Sequence, residues 1–219
     1  MPLPEGLTLR ESMILGTAGF TAGLSVYKLA TAGVLPAAGP ILVTGATGGV
    51  GSIAVGVLAR AGYQVTAATG KVDEAAYLKE LGAMAVIGRE AVLEGAERPL
   101  AKERWAGAVD VVGGATLAAI LKATRYGGVV TCCGLVGSPD LPVNVFPFIL
   151  RGVSLLGIDS AQCPAAIRRE VWQRLAGLWK PANLETAAIP CTLEELEPQI
   201  FAILDGKQRG RAVVDLGGD

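Results

Sequence analysis

Residues 41 to 51 read Ile-Leu-Val-Thr-Gly-Ala-Thr-Gly-Gly-Val-Gly, with four glycines in seven positions between an apolar run and an apolar, helix-forming stretch. Few backbones need that much glycine in so short a space. Ala46-x-Gly48-x-x-Gly51 is the spacing at which a strand turns into a helix around a dinucleotide pyrophosphate, with alanine at the first position. Gly48 lets the backbone approach the phosphates, and Gly51 lets the helix lie close on the strand. Ala46, Thr47, Gly48, Gly49, Val50 and Gly51 are therefore candidate cofactor contacts. The N–H groups of the first helical turn have no partner within the helix and suit an anion. A tight strand-to-helix turn without a ligand is the alternative. The strand before the turn, the helix after it and a second strand beyond favour the nucleotide.

The rest of the chain repeats this alternation. The spacing predicts a helix from Leu9 to Ala32, opened by Thr8 with Glu11 three residues on. Strands are expected at Ile41–Val43, Tyr63–Thr69, Met84–Ile87, Ala108–Val112, Gly128–Cys133 and Val153–Ile158. The helices between them are Val50–Ala61, Asp73–Leu81 and Ala115–Thr124, with a mixed stretch at 88–104. Each strand is a continuous apolar run, which indicates a parallel sheet covered on both faces. The expected fold is α/β, a doubly wound six-stranded Rossmann sheet. After Ser160 the pattern changes to helices at Pro164–Trp179 and Leu193–Leu204 and a short strand at Arg211–Leu216. Two segments are expected, 1–161 for the nucleotide and 162–219 as a helix-helix-strand appendage.

Composition removes several function classes. There is no histidine, which excludes histidine-ligated zinc, a Ser-His-Asp triad and a histidine general base, and no metal is expected. The formal net charge of −1 gives no footprint for nucleic acid. Cys132, Cys133, Cys163 and Cys191 lack framework spacing and read as small buried hydrophobes in a reducing cytoplasm. Met1 is followed by Pro-Leu-Pro-Glu, without the basic start of a secretory signal. The apolar segment 13–34 raises the question of a membrane span. Its Tyr27, Lys28 and several Gly and Thr favour a buried helix instead.

The identity of the nucleotide is read at the end of the second strand, Ala68-Thr69-Gly70-Lys71. A carboxylate there would bind the ribose 2′-hydroxyl of NAD. Thr69, Gly70 and Lys71 offer a hydroxyl, open space and a cation, which suit the 2′-phosphate of NADPH. Asp73 and Glu74 are the rival ribose partners, although acids are also favoured in a first helical turn. The ends of the later strands should line the same crevice: Gly113, then Cys133, Gly134 and Leu135, then Asp159 and Ser160. Thr44, Gly45, Gly49 and Gly51 also fit the short-chain dehydrogenase pattern. That class needs Tyr-x-x-x-Lys, and none of Tyr27, Tyr63, Tyr77 and Tyr126 has it.

"MILGTAGFTAGLSVYKL", "VTGATGGVGS", "WAGAVDVVGG", "YGGVVTCCGL", "PFILRGVSLLGIDS" and "GRAVVDL" together resemble the acrylyl-CoA reductase branch of zinc-independent medium-chain dehydrogenases, often labelled quinone oxidoreductases. The resemblance covers nearly the whole chain. It implies NADPH-dependent hydride transfer to an activated C=C bond of an enoyl thioester or quinone. It further implies that Thr69, Gly70 and Lys71 replace the family's Ser-Gly-Arg, that Arg211 lies near the cofactor, and that Thr17, Asp159 and Ser160 lie near the nicotinamide. Family members carry about a hundred further residues of a GroES-like catalytic domain before this point. By the resemblance only its closing portion, 162–219, is present, so no catalytic residue is named. An NADPH-binding module without turnover, or a partial gene product, is the alternative. The apolar run "FPFILRGVSLLGI" at the sheet edge suggests a homodimer.

Overall fold

The computed structural model describes residues 2–217, and the outermost residues of the two expected segments, Met1, Gly218 and Asp219, lie outside the described residues. Helix α1 (Leu9–Thr31) opens on a complete capping box. The Thr8 hydroxyl accepts from the Glu11 N–H at 3.1 Å, and the Glu11 carboxylate accepts from the Thr8 N–H at 2.9 Å. The helix is long and apolar enough to cross a membrane, yet 67% of that window is buried within the protein. Leu15, Phe20, Leu24 and Leu29 enter the main core.

The alternating segment runs β1 (Ile41–Val43), α2 (Gly49–Arg60), β2 (Val65–Thr69), α3 (Ala75–Glu80), β3 (Ala85–Gly88), α4 (Arg89–Val92), β4 (Trp105–Asp110), α5 (Gly114–Ala123), β5 (Thr124–Cys132), α6 (Phe146–Arg151) and β6 (Ser154–Gly157). All six strands are parallel, in the order β3-β2-β1-β4-β5-β6. The chain thus reverses direction across the sheet between β1 and β4, which opens a crevice at their carboxyl ends. On one face Ile53 and Leu58 of α2 pack with the α1 side chains. On the other, Leu117, Ile120 and Leu121 of α5 pack on Leu42 and Val130. The expected six-stranded doubly wound sheet is present.

The C-terminal segment comprises α7 (Ala165–Ala176), β7 (Ala188–Cys191), α8 (Leu196–Leu204) and β8 (Arg211–Val214). Helix α7 sits on α1, where Gly23 leaves room for Val171 and Leu175, and Trp172 stacks on Phe20 with ring centroids 6.2 Å apart. Strands β7 and β8 form a separate parallel pair. Helix α8 buries none of its nine residues.

Several boundaries differ from the sequence reading. The expected strand at Ala108–Val112 lies earlier, at Trp105–Asp110, because the Val111 N–H turns out of the ladder to the Thr44 hydroxyl. The run "FPFILRGVSLLGI" is not one continuous approach to the sixth strand. Pro147 sits in the first turn of α6 and Gly152, at φ +59°, ends it, leaving only Ser154–Gly157 at the sheet edge. Strand β7 was absent from the sequence reading, since Pro190 within it discourages a strand assignment.

Candidate functional site

The turn after β1 is built from short contacts between backbones. Gly45 takes φ +53°, and its carbonyl accepts the Gly48 N–H at 2.9 Å. A Cβ at Gly51 would overlap the Gly45 carbonyl oxygen and lie 2.8 Å from the Ala46 Cα. This glycine is what lets α2 start directly against the strand. The N-cap of α2 is Gly48, without a side-chain cap, so its first-turn N–H groups remain available. These glycines border a cavity of about 830 Å³, which also runs past the ends of β2 and β4 and the loop before β8.

A buried network fixes the two central strand ends. The Thr44 hydroxyl donates to one oxygen of Asp110 at 2.7 Å, and the Gly113 N–H donates to the other at 2.8 Å. The Val111 N–H donates to the Thr44 oxygen at 3.1 Å. Asp110 has no exposed surface, and burial raises its pKa above the usual carboxylate value against the opposing pull of these donors.

At the end of β2 the Thr47 and Thr69 hydroxyls lie 3.1 Å apart, and Thr69 accepts the Lys71 N–H at 3.0 Å. The Lys71 ammonium donates to the carbonyl of Gln208, and burial pushes its pKa down. From the opposite wall comes Arg211, the first residue of β8. Its side chain passes between the first turn of α2 and the kink of α1. Its Cδ would lie 3.1 Å from a Cβ on Gly49, and its Nη2 would lie 2.8 Å from one on Gly16. The Arg211 Nε is buried without a partner, and burial pushes the guanidinium pKa below its ordinary value. Both amide atoms of Gln208 are likewise buried and unpaired.

Of the expected site residues, Thr47, Gly48, Gly49, Val50, Gly51, Thr69, Gly70, Lys71 and Arg211 line this cavity together. Thr17 and Ser160 line a second cavity of about 570 Å³ on the far side of the Gly16 kink, with Phe20, Arg168 and Trp172. Ala46 is fully buried beneath the turn. Gly113 and Gly134 serve a close approach of the β4 and β5 ends: a Cβ on Gly134 would overlap the Val111 carbonyl. Cys133 donates to the Asp110 carbonyl, and burial pushes its thiol up to about 12, so it carries no thiolate at neutral pH. Leu135 is exposed beside Val136 and Gly137, which do reach the larger cavity. Asp159 accepts the Ala161 and Gln162 N–H groups and closes a turn. Of the rival acids, Glu74 pairs with Arg209 at 2.8 Å, and Asp73 lies within the short turn Val72–Glu74 before α3. Sequence reasoning missed Arg89 and Gln208, which also line the larger cavity.

Residues 49–177 match the family model described as zinc-binding dehydrogenase. The putative quinone oxidoreductase YhfP of Bacillus subtilis is 50% identical over 99% of this chain. Its NAD-bound crystal structure superposes with a TM-score of 0.95. Acrylyl-CoA reductase AcuI of Ruegeria pomeroyi is 49% identical over 99% of the chain. The YhdH oxidoreductase of Salmonella enterica, crystallised with NADP, is 45% identical over 99% of the chain, with a TM-score of 0.94. The chain spans 66% of the length of each of these relatives. A zinc ion, which the family's description implies, finds no donor set here. The chain has no histidine, and among the described residues no three Cys, Asp or Glu side chains come together.

Proposed function

The chain belongs to the zinc-binding dehydrogenase family, and on that premise we propose that it is an NADPH-dependent oxidoreductase that reduces a C=C bond activated by a thioester or quinone carbonyl. The observation that carries this reading is Arg211, a half-buried cation with an unpaired Nε beside the bare first turn of α2. A guanidinium left without a counter-charge in a polar cleft suits an anionic ligand. The cofactor's pyrophosphate fits between Arg211 and the N–H groups of residues 49–51, and its adenosine end fits against Thr69, Gly70 and Lys71. When bound, NADPH supplies a hydride to the β-carbon of the double bond, with a proton completing the reduction at the α-carbon.

The protein's own part is to hold and orient. The Thr44–Asp110 network fixes the crevice, and the Gly16 kink bends α1 around Arg211, between the two cavities. The smaller cavity, with the aromatic Phe20 and Trp172 and the hydroxyls of Ser12, Thr17 and Ser160, suits a small enoyl-CoA acyl group or a quinone ring. Its setting is the cytoplasm, in keeping with four unpaired cysteines among the described residues.

Fluorescence titration with NADPH and NADH, followed by acrylyl-CoA-dependent oxidation, tests this reading. Saturable NADPH binding with turnover is expected, and absence of binding refutes it. The other reading is a module that binds NADPH without turnover. Binding without oxidation of any enoyl-CoA or quinone would select that module. Pairing of two chains along β6, an open sheet edge carrying the half-buried Leu155 and Leu156, completes the proposal. A monomer at micromolar concentration in size-exclusion chromatography would refute the pairing.

A further inference from the structure

The smaller cavity holds a single charged side chain. Its wall carries the rings of Phe20 and Trp172, the hydroxyls of Ser12, Thr17 and Ser160, and the guanidinium of Arg168. Among the described residues no lysine, tyrosine, aspartate or glutamate lines it. The Ser12 hydroxyl donates to the Leu9 carbonyl at 2.6 Å, so its proton is engaged within α1. Thr17 and Ser160 offer neutral donors only. Arg211, the other cation nearby, lies across the Gly16 kink and lines the larger cavity.

Arg168 is half-buried and held in one place. Its Cζ lies 4.5 Å from the centroid of the Phe20 ring, which itself stacks with Trp172. Its Nη2 donates to the Ser160 carbonyl at 2.7 Å and to the Ala161 carbonyl at 3.3 Å. Both bonds use one nitrogen and reach only neutral acceptors. No carboxylate pairs with Arg168 among the described residues, whereas Arg174 on the same helix pairs with Glu170 at 2.7 Å. Arg168 is also the fourth residue of α7, near the positive end of the helix dipole, and no acid stands in that first turn. A cation is disfavoured there, so helix stability does not account for it. A guanidinium fixed by its face and by Nη2 leaves the Nε and Nη1 donors to a ligand, and it keeps its proton at any pH the protein meets.

Reduction of a C=C bond beside a carbonyl places negative charge on oxygen. Hydride addition at the β-carbon breaks the C=C π bond, and that electron pair shifts to the bond between the α-carbon and the carbonyl carbon. The carbonyl π pair moves onto its oxygen, which becomes an enolate. A proton from water then bonds to the α-carbon and the carbonyl re-forms, so the substrate gains two electrons and the nicotinamide loses two. We propose, resting on the reductase reading above, that Arg168 is a catalytic residue of the smaller cavity, whose Nε and Nη1 donors hold the substrate's carbonyl oxygen and stabilise the charge that develops on it. Fixed donors aimed where charge develops act more strongly in a partly dry cleft than in water. Because the guanidinium does not release a proton, its part is electrostatic and the proton comes from solvent.

Acetoacetyl-CoA tests the assignment without turnover. Its enolate absorbs in the near ultraviolet and its neutral form does not, so a pH titration with NADP+ present reads the pKa of the bound ligand. The wild-type chain should hold that pKa roughly 1–2 units below its value in free solution, as a cation a few ångströms away does. Arg168→Gln should lose most of the shift, and Arg168→Lys, which keeps the charge without the planar fork, should retain part of it. Propionyl-CoA, which stays neutral at its carbonyl, should bind to all three within about threefold, a difference of under 1 kcal/mol. A purely structural role would do the reverse, weakening propionyl-CoA without moving the pKa of acetoacetyl-CoA that still binds. An unshifted pKa in the wild type, or the same shift in Arg168→Gln, overturns the assignment, while binding of NADPH and propionyl-CoA leaves the reductase reading in place. If Arg168→Gln no longer binds NADPH, Arg168→Lys decides, and an undiminished shift there overturns the assignment. Failure of the wild type to bind either thioester removes the cavity as a substrate site and this inference with it.

Discussion

Replacing Thr44 by valine keeps the shape of the side chain and removes one hydroxyl from the buried network at the crevice. That hydroxyl has two duties. It donates to the Asp110 carboxylate at 2.7 Å and accepts the Val111 N–H at 3.1 Å. A hydrogen bond to a charged group is worth about 1.5–3 kcal/mol, and an orphaned N–H costs about 1–3 kcal/mol. Val111 is only part-buried, which puts the second figure near its lower end. The expected loss is about 3 kcal/mol near pH 7, a fall of roughly 6–12 °C in thermal midpoint for a chain of this size. The sign of the pH dependence follows from Asp110, whose pKa burial raises. A carboxyl with a raised folded pKa contributes stability that is full below its unfolded pKa and is lost as pH rises through the folded one. Removing a donor raises that folded pKa further, so the Thr44→Val deficit grows with pH. Urea unfolding at pH 4.5 and 7.5 measures it. A deficit under about 1 kcal/mol at pH 7.5, or a larger deficit at pH 4.5, would refute the account of Asp110 as a buried carboxylate held by Thr44.

Other substitutions probe the same site from different sides. Gly51→Ala drives a Cβ into the Gly45 carbonyl, where no flexible group can yield. Urea unfolding should show a loss of about 1–3 kcal/mol, and NADPH titration at least a tenfold weakening, because the first turn of α2 shifts. Arg211→Met removes a half-buried guanidinium whose Nε has no partner. The ligand-free chain should gain about 1 kcal/mol, or about 2–4 °C, while NADPH affinity falls roughly tenfold or more; a lower midpoint with unchanged affinity would contradict it. The double change Phe201→Glu with Leu204→Glu falls on α8, which buries nothing. Stability should stay within about 0.5 kcal/mol, and a loss above about 1 kcal/mol would mean that the helix is packed.

The sheet was legible because most of its strands are short apolar runs with a glycine near the end, whereas β5 was legible only in its apolar half, since it opens with Thr124-Arg-Tyr-Gly-Gly. Gly51 could be assigned its packing role directly from spacing. Arg89 could not, because a cation after a third strand has no fixed relation to the second until β2 and β3 are paired in register, Thr69 opposite Gly88. The one available signal was Gly70, the strand-end glycine against which the Arg89 guanidinium lies. Lys71 was visible as a cation, but its engagement with Gln208 spans 137 residues and leaves no local trace. Gly113 and Gly134 show the opposite case. Their position at successive strand ends suggested a ligand, whereas the space beside them is filled by neighbouring backbone.

The larger cavity is closed by residues from the far end of the chain, and this has an energetic consequence. The loop 206–211 reaches it through three ties: Lys71 to Gln208, Glu74 to Arg209 and the Gly210 N–H to Thr47. Of these, the Arg209–Glu74 pair is part-exposed and contributes modestly. The site therefore leaves Arg211 uncompensated on one of the less deeply buried parts of the molecule, beside a helix α8 that buries no residue. An anion bound, as proposed, between Arg211 and the first turn of α2 would supply the missing counter-charge and tie residues 49–51 to the loop 206–211. Its binding energy then appears as stability of the C-terminal segment, growing as RT ln(1 + [L]/Kd).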